Sequence, residues 1–283
     1  MAISQNLNEC SIEGKVISID HTLAIVNGKD AIYGTVTVEA GEDNFVPIGF
    51  FSYKTKNDGG ENNVYKSLLS VIDDYKTIAN DGRDAADSVV INKVELSENV
   101  FFGQDGKMIR GFQLSSSFYN RGIVKEAGAK FTVTGEIFEM IEEIVDDVPT
   151  GALILRLLVL GYKGRPNIID FNVVDSKGVN YLKTVATVGQ DLKVSGDILV
   201  IESVEEKTEE SAFGAPIVTS KRTTSRQLVV KSATPPSTGL LTDEERSQVL
   251  AVREGIVLKA KEKANKKAAT TTTSKPSSGN FTL

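Results

Sequence analysis

The residues best suited to noncovalent chemistry lie in one short run, Phe45-Val-Pro-Ile-Gly-Phe-Phe-Ser-Tyr-Lys54. In an extended strand side chains alternate, so Val46, Ile48 and Phe50 share one face while Pro47, Gly49, Phe51 and Tyr53 share the other. The first set reads as core, and a Phe-Phe pair cannot place both rings in it. Phe51 and Tyr53 then stand outside with Lys54 and Lys56 just beyond them. Tyr33, in phase with Thr35 and Thr37, extends the same surface. Flat rings beside ammonium groups stack planar π-systems and hold anions. The competing reading for these rings is packing, beneath the polar loop at residues 57–63 or against a second domain.

Covalent and metal chemistry have fewer candidates. The one histidine, His21, reads as a loop residue after the first strand, and it alone cannot furnish the paired ligands of most transition-metal sites. One cysteine, Cys10, excludes an internal disulfide and a multi-thiolate zinc site, consistent with a reducing compartment. The acidic pairs Asp73-Asp74, Glu142-Glu143 and Asp146-Asp147 are the residues a magnesium-dependent nuclease would use. They sit on a helix face and beside a turn, where solvated charge is the expectation. No glycine-rich loop ending in Lys-Ser or Lys-Thr is present, which disfavours nucleotide hydrolysis. The expectation is a protein that is not an enzyme and needs no cofactor.

The elements that must position these residues follow from periodicity. Residues 12–20 and 31–40 alternate as strands around a turn at 26–30, and residues 45–54 form a third. Val64, Leu68, Val71, Ile72 and Tyr75 then recur at three and four residues, predicting a helix over 64–80. Strand character returns at 88–96 and on either side of Gln104-Asp-Gly-Lys107. The order repeats further along. Aligning Gly14 with Gly135 and Ile48 with Ile169 gives one offset, 121 residues. A three-strand meander, a helix and a two-strand hairpin is the connectivity of the OB-fold, a five-stranded Greek-key barrel. The predicted fold is mainly β: two tandem OB-fold barrels, each with a capping helix, plus a C-terminal helix and a disordered tail. Residues 1–125 form the first domain and 126–232 the second, leaving 233–283 as linker, basic helix and flexible tail. A chain of 283 residues has room for both cores.

Over roughly residues 10–232 the chain resembles phage-type and bacterial single-stranded DNA-binding proteins with OB-folds. The resemblance is carried by Ile12-Glu-Gly-Lys-Val16, the aromatic third strand, the loop Glu210-Ser-Ala-Phe-Gly-Ala-Pro216 and the paired hairpins. It implies binding of single-stranded DNA in replication, recombination or repair, with RNA as a second possible ligand and replication or recombination proteins as further partners. It also implies a cytoplasmic location, that of the host if a phage encodes the chain. The alternative is an OB-fold used for protein contacts, as a replisome adaptor or virion component. Bacterial members typically end in an acidic tip that recruits partners, whereas this sequence ends Gly279-Asn-Phe-Thr-Leu283 after a basic helix, so no such role is expected for the tip.

OB barrels take strands across their second and third strands and the flanking loops. In the first barrel Tyr33, Phe51, Tyr53, Lys54 and Lys56 are the candidates, joined by Lys107 and Arg110 of the hairpin. Tyr119 and Arg121, with Phe118, serve either inter-barrel packing or ligand contact. In the second barrel Asn172 and Val174 replace Phe51 and Tyr53, so the rings are lost. Residues 152–160 are apolar on both faces, and the second face, with Ile154, Leu158 and Leu160, is expected to meet the first barrel, another subunit or the helix. The second barrel is expected to add charge instead, from Arg156, Lys163, Arg165, Lys221, Arg222 and Arg226. The last three lie on or beside residues 205–225, read as a long loop whose basic half faces phosphate. The helix beginning at Thr242 carries Arg253, Lys259, Lys261, Lys263, Lys266 and Lys267 against Glu254 and Glu262, and is expected to stay solvated.

A net charge of −6 argues against a lysine-coated duplex wrapper while allowing a local basic groove. The first nine residues lack a basic region followed by an apolar run, so no secretory signal is expected. No apolar run approaches the ~20 residues needed to span a bilayer, and no membrane partner is expected.

Overall fold

The computed structural model describes residues 5–103, 105–145, 147–209 and 217–272, excepting the side chains at 204–209, 217–222 and 266–272. The first unit is built from β1 (Asn8–Val26), β2 (Lys29–Glu39), β3 (Phe45–Tyr53), α1 (Asn63–Asp74), α2 (Ile78–Asp81), β4 (Ser88–Phe102), β5 (Met108–Ser115) and the short β6 (Asn120–Arg121). β1 pairs antiparallel with β2, and β2 with β3. β3 meets β5 in parallel at Gly49 and Ser115, β5 pairs with β4, and β4 returns to β1. The sheet is therefore closed, with the OB connectivity and its helix between the third and fourth strands.

Closure asks β1 to serve two neighbours at once, which coils it tightly. Gly14 makes this possible, since a Cβ there would lie 1.9 Å from the Glu39 carbonyl oxygen. Inside, Ile12, Val36, Val38, Ile48 and Leu96 are fully buried. Leu68 and Val71 of α1 close one mouth. The Asn62 side chain sets the helix start: its oxygen accepts from the Val64 amide at 3.1 Å and its nitrogen donates to the Tyr53 carbonyl at 2.8 Å.

The second unit repeats this plan with β7 (Gly128–Val145), β8 (Val148–Leu160), a 3₁₀ turn (Tyr162–Gly164), β9 (Pro166–Val173), α3 (Ser176–Val185), β10 (Asp191–Glu209) and β11 (Ile217–Ala233). Its parallel closure is Asn172 to Val229. Gly135 occupies the place of Gly14, with a Cβ that would lie 2.9 Å from the Leu158 carbonyl. Two tandem OB barrels, each with its helix, are the observed architecture.

The barrels are joined through backbone. β1 pairs with β7 from Asn8 opposite Val133 to Glu13 opposite Gly128, so one sheet runs through both. Buried Asn44 supports the junction like a strand residue, donating to the Ile198 carbonyl at 2.9 Å and accepting from the Val200 amide at 2.8 Å. Finally α4 (Asp243–Thr272) follows the second barrel.

Four expectations are corrected. The helix predicted over 64–80 ends at Asp74, and Thr77 caps the separate turn α2 by accepting from the Asn80 amide. Tyr75 leaves the helical path because its hydroxyl donates to the Tyr119 carbonyl at 2.6 Å. His21 lies within β1 opposite Gly34, exposed, rather than in a loop. The expected loop at 205–225 is mostly ribbon: β10 and β11 stay paired out to Glu209 opposite Ile217. Threonines and valines in that stretch favour extended backbone without needing a buried face. The tip at 210–216, the whole of the loop that carried the resemblance, lies outside the described residues, as does the tail beyond 272. The fourth correction concerns α4, which docks rather than staying solvated; its contacts are given below.

Candidate nucleic-acid interface

The β2–β3 register places Tyr33 opposite Phe51 and Ala31 opposite Tyr53. Phe50 turns inward and is 5% exposed, whereas Phe51 turns outward and is 45% exposed. Phe51 and Tyr53 meet edge to face, with centroids 4.9 Å apart. The turn between β1 and β2 braces this pair: Asn27 donates to the Tyr53 hydroxyl at 3.2 Å, and the Lys29 ammonium lies 5.9 Å from the Tyr53 ring centre. Gly34, beside Tyr33, is required by the fold, because a Cβ would meet the Asp20 carbonyl at 2.0 Å. Tyr33, Phe51 and Tyr53 are thus brought together on the outer side of a rigid sheet. Lys54 stands at its margin, 3.5 Å from Asp30 with both groups over half exposed, so the pairing is weak. Lys56 is exposed beyond it.

The remaining candidates of the first barrel divide. Lys107 is exposed at the β4–β5 turn, 3.7 Å from Asp105. Tyr119 is a core residue, 5% exposed, and neither an inter-barrel nor a ligand contact. Its hydroxyl is 3.1 Å from the Ile48 carbonyl and 3.3 Å from that of Gly49, its ring stands edge-on to Phe50, and burial pushes its phenol well up from the ordinary value. Arg121 is a clamp: Nε donates to Asp87 at 2.9 Å, another nitrogen donates to the Asp74 carbonyl, and the guanidinium stacks 4.3 Å from the centre of Tyr75. Phe118 is half exposed beneath the Lys93 ammonium.

On the second barrel, Ile154 opposite Asn172 repeats the register of Tyr33 opposite Phe51. No ring projects there. Arg156 is not available as a ligand contact: it gives two hydrogen bonds to Asp170, at 2.7 and 3.0 Å, and one to Glu139 at 2.5 Å. Those bonds to Asp170, more than any other influence, hold its guanidinium above the usual range. Arg110 leaves its own barrel and lies at the junction, 3.4 Å from Glu98 and 3.9 Å from Asp170. Burial, then the nearby Arg156, push its proton affinity down. Arg226 is exposed on β11 near Arg110. Lys163, at φ 56°, is exposed in the 3₁₀ turn and Arg165 just after it, with the Lys163 ammonium 5.3 Å from the centre of Tyr162. Lys221 and Arg222 pair through backbone with Glu205 and Val204; their side chains lie outside the described residues.

Sequence reasoning missed the residues that seat α4. Arg246 bonds Glu136 at 2.5 and 3.0 Å, Arg253 bonds Glu98 at 3.0 and 2.5 Å, and Val249 packs on Leu158, Leu160 and Ile168. Leu158 and Leu160 of the apolar second face of β8 are thereby covered by this helix, while Ile154 of the same face is not. The available signal was the spacing of Arg246, Val249 and Arg253, at i, i+3 and i+7 on one helix face. Exposed apolar residues at hairpin ends, Leu23 and Ile25 of β1 and Met108 and Ile109 of β5, were also missed.

Of the acidic pairs, Glu142 binds Lys183 at 2.5 Å and Glu143 accepts from Thr150 at 2.7 Å, while Asp146 is outside the described residues. Among the described residues no cluster of three or more metal-ligating side chains occurs, and no helix is long and apolar enough to cross a membrane.

Comparison with solved structures finds similarity to the wild-type single-stranded DNA-binding protein of Thermus aquaticus, at 9% identity and a TM-score of 0.49, covering 84% of this chain and 97% of the other. A deletion variant of the same Thermus aquaticus protein gives 9% identity and 0.49, covering 85% and 100%. A replication protein A heterotrimer bound to single-stranded DNA gives 10% identity and 0.20, covering 80% of this chain and 50% of that one. No curated protein matches the sequence. The family model described as YorF matches residues 6–267, nearly the whole sequence, and the chain therefore belongs to the YorF family.

Proposed function

We propose that this chain binds single-stranded DNA without catalysing a reaction, seating bases on the outer β2–β3 face of the first barrel. The observation that carries this is the cluster of Tyr33, Phe51 and Tyr53, three outward rings on a braced sheet surface with lysines at its edge. Each stacked base would contribute about 1–3 kcal/mol, and the face needs no sequence code because every base offers a π-surface. Lys29, Lys54 and Lys56 supply charge for the backbone without making the whole protein basic. RNA presents the same flat bases and is the second ligand to test. Within this reading the protein protects strands during replication, recombination or repair, in the cytoplasm.

One observation favours a protein-contact role instead: the β1–β2 hairpin ends in exposed Leu23 and Ile25, and the β7–β8 hairpin in Ile144, Val145 and Val148. The two readings separate in a titration of a fluorescent oligothymidylate at two salt concentrations, with duplex DNA and RNA as competitors. Strand binding should weaken steeply as salt rises and resist duplex competitor. Absence of binding at low salt would leave the protein-contact role standing.

A further inference from the structure

Where the first barrel leans on the second, three guanidiniums meet three carboxylates, and two of the guanidiniums take nearly everything. Glu98 accepts twice from Arg253 and also from the Ile168 amide at 3.0 Å. Asp170 accepts the fork of Arg156, whose remaining nitrogen goes to Glu139. Arg110 is left over. It lies within ion-pair range of Glu98 and Asp170, yet its Nε and Nη1 are buried without a hydrogen-bond acceptor, the two such side-chain atoms among the described residues. A buried donor left unmade costs about 1–3 kcal/mol, more when charged.

Beside these donors opens a cleft of about 210 Å³. Phe112, Ile154 and Leu228 line it with apolar surface, Asn172 contributes an amide, Asp170 contributes a carboxylate that the fork of Arg156 neutralises, and exposed Arg226 brings a second guanidinium from β11. Gly111 leaves room above the backbone, since a Cβ there would meet nothing within 4 Å. The cleft also has a place in the repeat: Ile154 and Asn172 stand where Tyr33 and Phe51 stand in the first barrel. The strand that bears Arg110, β5, is the one joined to β3 at Ser115 and Gly49.

We propose that this inter-barrel cleft is a backbone-phosphate subsite, in which Arg110 and Arg226 clasp a phosphodiester of the single strand whose bases stack on the first barrel. Charge from both barrels thus gathers beside Ile154 and Asn172, at the positions where the first barrel offers rings. Arginine suits this role, because its planar fork matches two phosphate oxygens, and the partly exposed Arg110 side chain lines the cleft while its carboxylate neighbours are taken up by Arg253 and Arg156. The subsite rests on the reading that the first barrel binds a strand.

The test uses the full chain, oligothymidylates of about 5 and about 20 nucleotides, and the variants Arg226→Gln, Arg110→Met, Asn172→Asp and Phe51→Ala. Arg226→Gln and Arg110→Met are each expected to weaken the longer strand several-fold and to make its dependence of log affinity on log salt shallower by about 0.7, one single-strand phosphate contact. Asn172→Asp should weaken it too, through repulsion. The short strand, held by the rings alone, should be unaffected. Should Arg110→Met melt early, exposed position 226 and half-buried position 172 carry the test. If Phe51→Ala weakens binding while the cleft variants keep both affinity and salt slope, the subsite is refuted and the ring face stands. If the unaltered chain binds neither strand, both fall together.

Discussion

Arg253 of α4 donates to both oxygens of Glu98 in the first barrel, across 155 residues of sequence, while Arg246, Val249 and Leu250 hold the same helix to the second. The last helix is therefore a strap across both barrels. Glu98 is 6% exposed, so removing Arg253 strands a buried carboxylate that Arg110 approaches only at 3.4 Å. Arg253→Met should cost about 3 kcal/mol of stability, readable as a lowered urea midpoint. An unchanged midpoint would mean that the strap is ornamental.

Tyr119 offers a control for the ring assignments. Replacing it with phenylalanine removes the hydroxyl contact to Ile48 and leaves the ring against Phe50. The expected result is a stability loss of about 0.5–1.5 kcal/mol with strand affinity unchanged. A large affinity loss in a variant of near-normal stability would return Tyr119 to the ligand surface.

Cys10 is buried in the seam between the barrels, and burial pushes its thiol from 9.0 up to about 12. The folded state therefore holds its proton where the unfolded state has released it. This contribution is fully present below about pH 9 and is lost as pH rises from there toward 12. Comparing Cys10→Ala with the parent across that range should show the parent losing stability faster. In the native state at pH 8, Cys10 should also resist thiol reagents that label it rapidly in urea.

Most of the barrel was legible in the sequence because its strands are half-buried, and half-burial writes alternation. Val46, Ile48 and Phe50 against Phe51 and Tyr53 is the clearest case, and the offset shared by Gly14 with Gly135 reflects one steric demand met twice. The β10–β11 ribbon was not legible, since its described side chains at 201–203 and 223–227 are all exposed and print no buried period. Nor was the fate of Arg156. Its partner Asp170 sits directly opposite on β9, a relation that exists only once the register is set. The docking of α4 was hidden for a similar reason: its apolar stripe is thin, and the carboxylates that complete it, Glu98 and Glu136, belong to distant strands.

In the proposed function the outward rings of the first barrel hold the bases. Phe51 and Tyr33 are both over two-fifths exposed, so truncating them leaves the core intact. The most direct measurement is the affinity of the Tyr33→Ala/Phe51→Ala double variant for a fluorescent oligothymidylate, with its melting curve recorded alongside. The expected result is a loss of about 2–4 kcal/mol, some thirty-fold or more, at unchanged melting temperature. Full affinity retained in a folded double variant would contradict it.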